Sequence, residues 1–151
     1  MSVSIQASEA AAVASQFFKL LMNNQCHQCW GLFTKATQDK FLAWCVQDLY
    51  QRFPHPAKAS GIGSPEVRLM LEKNDPTLIK SFWRRFFMMS GANEIFRFGY
   101  FEGDPDNTSD REAQVSVRIK LPDGREGTLR FKMFKERGGW RFGYDESGLP
   151  F

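Results

Sequence analysis

The sequence predicts an α+β fold in which N-terminal helices pack on an antiparallel sheet of four or more strands, within a single domain spanning residues 1–151. Three observations carry this prediction. Apolar residues recur at helical spacing through the first part of the chain and at every second position after Ile95. With 151 residues, 42% hydrophobic and 25% charged, the chain has the size and composition of one ordinary globular domain. It also holds 15 Phe, and that many rings need a large interior, a buried interface or an apolar pocket.

The helices follow in order. Ser8 with Glu9 can open a first helix running to about Met22, with Ala10, Ala14, Phe17 and Leu21 on one stripe. Asn23 and Asn24 interrupt it, and a short second helix carries Cys26, Cys29, Trp30 and Phe33 on one face. A third covers Lys35 to Arg52, with Phe41, Cys45 and Leu49 in one row and Leu42, Val46 and Phe53 beside it. Pro54-His55-Pro56 ends it, because proline cannot continue the ladder, and Ala57 to Ser64 reads as a loop. Ser64-Pro65-Glu66 starts a short helix through Glu72, although Val67, Leu69 and Leu71 also fit a strand. Asp75-Pro76 is a cap followed by proline at the first helical position. The helix it opens carries Ile79, Phe82, Trp83 and Phe86 and stops at Gly91.

From Ile95 the period changes to two. A first strand sets Phe96, Phe98 and Tyr100 against Arg97 and Gly99, and the polar segment Gly103 to Asp110 reads as a loop. A second strand puts Val115, Val117 and Ile119 on one face, and a third does the same with Leu129, Phe131 and Met133. Gly138-Gly139 turns the chain into a last strand with Trp140, Phe142 and Tyr144 inward. The hairpin between the second and third strands has a defined register. A three-residue loop, Pro122-Asp123-Gly124, pairs Leu121 with Arg125, aligns Val117 with Leu129 and sets Lys120 opposite Glu126. A two-residue turn at Asp123-Gly124 would instead mix the apolar and polar faces.

Charge and cysteine usage exclude several classes. The net charge is +3, too small to name a nucleic-acid or membrane partner. Met1 to Ser15 lacks Lys, Arg and an unbroken apolar run, so neither a secretion signal nor a membrane span is expected. Three Cys, an odd number, argue against a disulfide framework and for a reducing, cytoplasmic setting.

The segment Ala12-Val13-Ala14-Ser15-Gln16-Phe17-Phe18-Lys19-Leu20-Leu21, a polar break, then Gln28-Cys29-Trp30-Gly31-Leu32-Phe33 and the amphipathic stretch around Ala36 to Phe41 resembles the nuclear-transport-factor-2-like (cystatin-like α+β) superfamily. Arg118 to Lys120, Leu129 to Phe134 and Trp140 to Tyr144 look like its closing meander. The resemblance implies a curved sheet wrapped around the N-terminal helices, with a cone-shaped pocket between them. It covers isomerase-like enzymes, dehydratases, cyclases, transport adaptors and non-enzymatic binding domains, and so implies a fold rather than a reaction.

Three constellations could carry function. Cys26-His27-Gln28-Cys29 has the spacing of a redox or metal pair, but no strand precedes it and no second paired cluster follows. Reduced core thiols are the expectation, with no metal and no cofactor. The cone is the second, with Phe17, Trp30, Trp83, Phe98, Tyr100, Val117, Phe131, Phe142 and Tyr144 as candidate lining residues. No inward strand position is a carboxylate or histidine, so no catalytic residue is assigned and a non-enzymatic binding domain for an apolar small molecule or protein segment is favoured. A small isomerase, dehydratase or cyclase would need His27, His55 or Asp48 to reach the pocket. The third is the other sheet face, where Arg97, Arg118, Lys120, Arg130, Lys132 and Arg141 would form a basic surface for a protein partner or a homodimer. Nucleic acid is disfavoured because the rings are expected on the opposite face. Gly61-Ile62-Gly63 and the basic pair inside Trp83-Arg84-Arg85-Phe86-Phe87 read as a loop and a helix surface.

Overall fold

The structure, a computed structural model, describes residues 2–55 and 61–151. Helix α1 (Val3–Met22) begins earlier than Ser8, since the Ser2 hydroxyl caps it by accepting from the Ile5 amide. The reason is visible in the buried stripe, which extends back through Ala10 to Ala7. Helices α2 (Cys26–Leu32) and α3 (Lys35–Arg52) lie where the spacing placed them. Between them Phe33 leaves the helical row and extends, fully buried, to make a parallel bridge with Phe142. The loop read over Ala57 to Ser64 lies partly outside the described residues, as does Pro56, and Ser64 already belongs to α4 (Ser64–Glu72).

Asp75 caps the next helix through its side chain, which accepts from the Thr77 amide at 2.8 Å. This helix, α5, runs in three consecutive pieces: Pro76–Leu78, a π-helical turn Ile79–Trp83, and Arg84–Ser90. At the π turn the Arg84 amide donates to the Ile79 carbonyl, five residues back. Gly91, at a left-handed φ of 68°, ends α5 as expected, yet the chain turns helical again in α6 (Ala92–Phe98).

That helix overturns the strand read from Ile95. Ala92 and Ile95 bury one turn apart, and β1 (Gly99–Asp104) begins only at Gly99, where a Cβ would collide with the Ile95 carbonyl. Strand parity is reversed with it. Phe101 pairs with Val117 on the inner face, while Tyr100 pairs with Arg118 on the outer face. Phe96 is helical and exposed. The segment read as a loop from Gly103 starts inside β1, and a short 3-10 turn follows at Pro105–Asn107.

Strands β2 (Glu112–Lys120), β3 (Glu126–Glu136) and β4 (Gly139–Gly143) complete an antiparallel sheet ordered β1-β2-β3-β4, not closed into a barrel. The β2–β3 hairpin has the expected register, Val117 opposite Leu129 and Lys120 opposite Glu126. Leu121 and Arg125 close the loop at 2.8 Å, with Gly124 at φ 90°.

One core joins α1 to α6 with the inner face of the sheet. Helix α1 lies closest at Gly103, whose hydrogen faces the Ala7 carbonyl where any Cβ would clash. The C-terminal segment seals the other side. Thr37 Oγ1 donates to Glu146 at 2.7 Å and the Tyr144 hydroxyl to the Pro150 carbonyl. Phe151 lies 4.6 Å from the Phe41 ring, centroid to centroid.

Candidate functional site

Most of the side chains expected to line a cone pack against one another instead. Phe17 is fully buried, with the rings of Phe18, Phe33 and Phe142 at 5.1, 5.1 and 5.2 Å. Phe142 in turn meets Phe131 at 4.8 Å and Tyr144 at 5.7 Å. Edge-on and tilted ring contacts of this kind fill volume as tightly as aliphatic packing. Val117 lies buried beside Gly99 in the same layer. Trp30 and Trp83 are buried too, each packed on Phe33, and with Phe98 and Tyr100 they border hollows outside the ring layer. Trp30 borders a recess at the β4 edge, Trp83 a groove on α5, and Phe98 and Tyr100 a hollow on the outer sheet face.

The groove on α5 is the most apolar of these. It has a volume of about 390 Å³ and runs between the α1–α2 turn and the π turn of α5. Leu21 and Cys26 form one wall, Ile79, Trp83 and Phe87 the other, and Lys80 and Arg84 stand at the rim. Ile79, Trp83 and Phe87 follow one another at four-residue spacing, with Lys80 and Arg84 beside them, so the five share one side of α5. Among the described residues neither Lys80 nor Arg84 makes an ion pair. Farther along the helix, Met88 is 71% exposed and shares a shallow hollow with Arg84 and Arg85.

The acid–base candidates do not converge. Asp48 accepts from Arg52 Nε at 2.9 Å on the flank of α3, and His55 is exposed beyond its end. His27 borders the recess at the β4 edge. The cysteines are free and buried. Burial pushes the Cys26 thiol up to about 11 and the Cys45 thiol, with Asp48 nearby, up to about 12. Cys29 moves the same way, through burial and then Cys26, and its thiol donates to the Phe17 carbonyl at 3.4 Å. These are poor nucleophiles and poor ligands while folded. Among the described residues no three His, Cys, Asp or Glu side chains gather as a metal-binding group.

The basic face divides. Arg118, Lys120, Arg130 and Lys132 are exposed on β2 and β3. Arg97 is not on the sheet, because it belongs to α6. Arg141 bends around the β4 edge toward Gln38, Arg68 and Arg137. The outer face also holds a ring the sequence placed inside. Tyr100 is 61% exposed, with the Arg118 guanidinium 5.4 Å from its centroid.

No family model, curated protein or solved structure matches the chain. Among the described residues no helix is long and apolar enough to cross a membrane.

Leu21 belongs to the core as its place on the α1 stripe implies and Ile79 packs half-buried against it, while Arg84, expected as plain helix surface, borders the groove. Ile79, Trp83 and Phe87 recur every four residues in the sequence, but that this row meets the α1–α2 turn across an open groove depends on tertiary packing. Arg68 and Arg137 were also missed. Arg137 is legible only in retrospect, as a non-glycine residue before Gly138 in a two-residue turn where Asn or Gly is usual.

Proposed function

We propose that the protein is a non-enzymatic binding domain of the nuclear-transport-factor-2-like kind, and that it holds an apolar small molecule bearing a carboxylate in the groove between the α1–α2 turn and α5. The observation that carries this reading is the groove's composition: an apolar floor of nearly buried Trp83 and half-buried Phe87, with two cations at one rim that make no ion pair among the described residues. A floor of that kind takes a hydrocarbon or aromatic body, and Lys80 and Arg84 take its acidic end. The filled interior turns the reading away from the cone. The separation of His27, His55 and Asp48 turns it away from proton-transfer chemistry. Three free buried thiols fit a reducing compartment such as the cytoplasm.

Decanoate is a suitable probe, with decanol as its uncharged counterpart. Titration calorimetry should show saturable decanoate binding and much weaker decanol binding. The Lys80→Gln/Arg84→Gln double variant should weaken decanoate by about tenfold or more, the effect of losing charge-assisted partners. Native mass spectrometry of freshly purified protein should show an added mass that denaturation removes. A clean apo mass, together with no decanoate binding, would defeat the proposal.

One observation favours a second reading, a protein contact through the outer sheet face. Tyr100 and Phe98 border a hollow of about 370 Å³ with Arg118 and Lys120, giving rings and cations together as interface centres have them. The Arg118→Glu/Arg130→Glu variant tests it by sedimentation: loss of a wild-type dimer supports the contact, and unchanged self-association removes it.

A further inference from the structure

A second polar site lies at the β4 edge and shares no residue with the α5 groove. A recess of about 380 Å³ opens there, with His27, Gln38, Arg68, Glu72, Arg137 and Arg141 among its walls. Arg137 occupies the first position of the two-residue turn between β3 and β4, at a left-handed φ of 52°. Residues with a Cβ rarely take that conformation. Its side chain is held firmly: Nη2 donates to the Phe33 carbonyl at 2.6 Å and Nη1 to Gln38 Oε1 at 3.3 Å. Gln38 is itself fixed, because its Nε2 donates to the Trp30 carbonyl at 2.8 Å.

Arg141 comes back toward the same turn. Its Nη1 donates to the Trp140 carbonyl at 3.2 Å and its Nη2 to the Arg137 carbonyl at 3.5 Å. Among the described residues its Nε is buried without a hydrogen-bond partner, and so is His27 Nδ1. Burial, and then the neighbouring Arg137, hold the Arg141 guanidinium below its usual range, against a smaller opposing pull from Glu136. Among the described residues neither Arg137 nor Arg141 lies within ion-pair distance of a carboxylate. Arg68 is shared with Asp39 at 3.7 Å, and Glu72 is an exposed acid on the rim. Arg137 and Arg141 therefore border one recess with His27 and disfavour each other's charge, an arrangement that an entering anion would relieve.

We propose that this recess binds a phosphate dianion, free or as a monoester, between Arg137 and Arg141 with His27 as a third contact. A carboxylate engages one guanidinium fork, whereas a tetrahedral dianion accepts from several directions at once. The fixing of Arg137 by Phe33 and Gln38 means that little side-chain freedom is lost on binding.

Inorganic phosphate titrated into the full chain at constant ionic strength is the test, followed by NMR of the imidazole rings. The chain has 2 His, so exposed His55 serves as the internal control. The proposal expects a saturable shift of the His27 ring, a still His55 and no saturation with acetate. Arg141→Gln should weaken phosphate by about tenfold or more, while Lys19→Gln on the exposed side of α1 leaves it unchanged. Glycerol 3-phosphate then distinguishes the sources, since equal or tighter binding marks the ester and exclusion marks the free ion. A silent His27, equal saturation by acetate, or an Arg141→Gln protein that titrates like the wild type would each overturn the proposal. Should Arg141→Gln fail to fold, the wild-type His27 shift against acetate still decides it.

Discussion

The interior of the helix–sheet sandwich and the groove on α5 are made of the same kinds of side chain and behave oppositely. Inside, Phe17, Phe33, Phe131 and Phe142 take up one another's contact surface. At the groove, Leu21 and Trp83 are buried as well, Trp83 lying against the rings of Phe33, Phe82 and Phe86, while the half-buried Ile79 and Phe87 keep one flank open. The difference is one of position, since the interior rings have neighbours on every side while the row Ile79, Trp83 and Phe87 lies at the margin of the core, where one flank meets only the α1–α2 turn. A count of aromatic residues therefore says nothing about where a protein is hollow.

Four experiments strain that comparison, from the largest effect to the smallest. Phe142→Ala should cost about 3–5 kcal/mol in denaturant unfolding, because the rings around it cannot all collapse into the gap. A cost near zero would mean that the interior is loosely filled. Gly103→Ala should cost about 1–3 kcal/mol, since the new methyl group meets the Ala7 carbonyl and pushes α1 off β1. Alkaline pH probes the buried thiols. Their folded pKa values lie above the ordinary value, so the unfolded chain ionises first and folding loses stability as pH rises. For Cys26 the loss should run from 9.0, its unperturbed value, to about 11, and alkylation below that window should track unfolding. Lys80→Gln and Arg84→Gln should change stability by no more than about 0.5 kcal/mol, as surface substitutions do, while weakening decanoate.

Legibility in the sequence followed the range of the interactions involved. The β2–β3 hairpin was readable because alternation, the Pro122-Asp123-Gly124 turn and the Lys120–Glu126 pair are all local and agree. Helix α3 was readable from Lys35 to Arg52 for the same reason. The α6–β1 junction was not, because Phe96, Phe98 and Tyr100 alternate as a strand would. The decision there rests on Ala92, Ile95 and Gly99, whose spacing of three and four marks a buried helical stripe. Of the candidate sites, Phe131, Phe142 and Tyr144 fall in the inner layer that the period implied while Phe98 and Tyr100 do not, and whether the inner rings pack or line a cavity depends on tertiary contact. The recess at the β4 edge joins Gln38, Arg68 and Arg137 from three separate elements, and no local pattern links them.

The central claim is that a ligand binds at α5 and not inside the sandwich. Methyl and aromatic NMR of the wild-type chain during a decanoate titration tests it directly. The account predicts shifts at Leu21, Ile79 and the Trp83 indole, with Val117 and Phe142 unmoved. Shifts at Val117 and Phe142 with a silent groove would contradict it and place the ligand in an interior that opens to admit it.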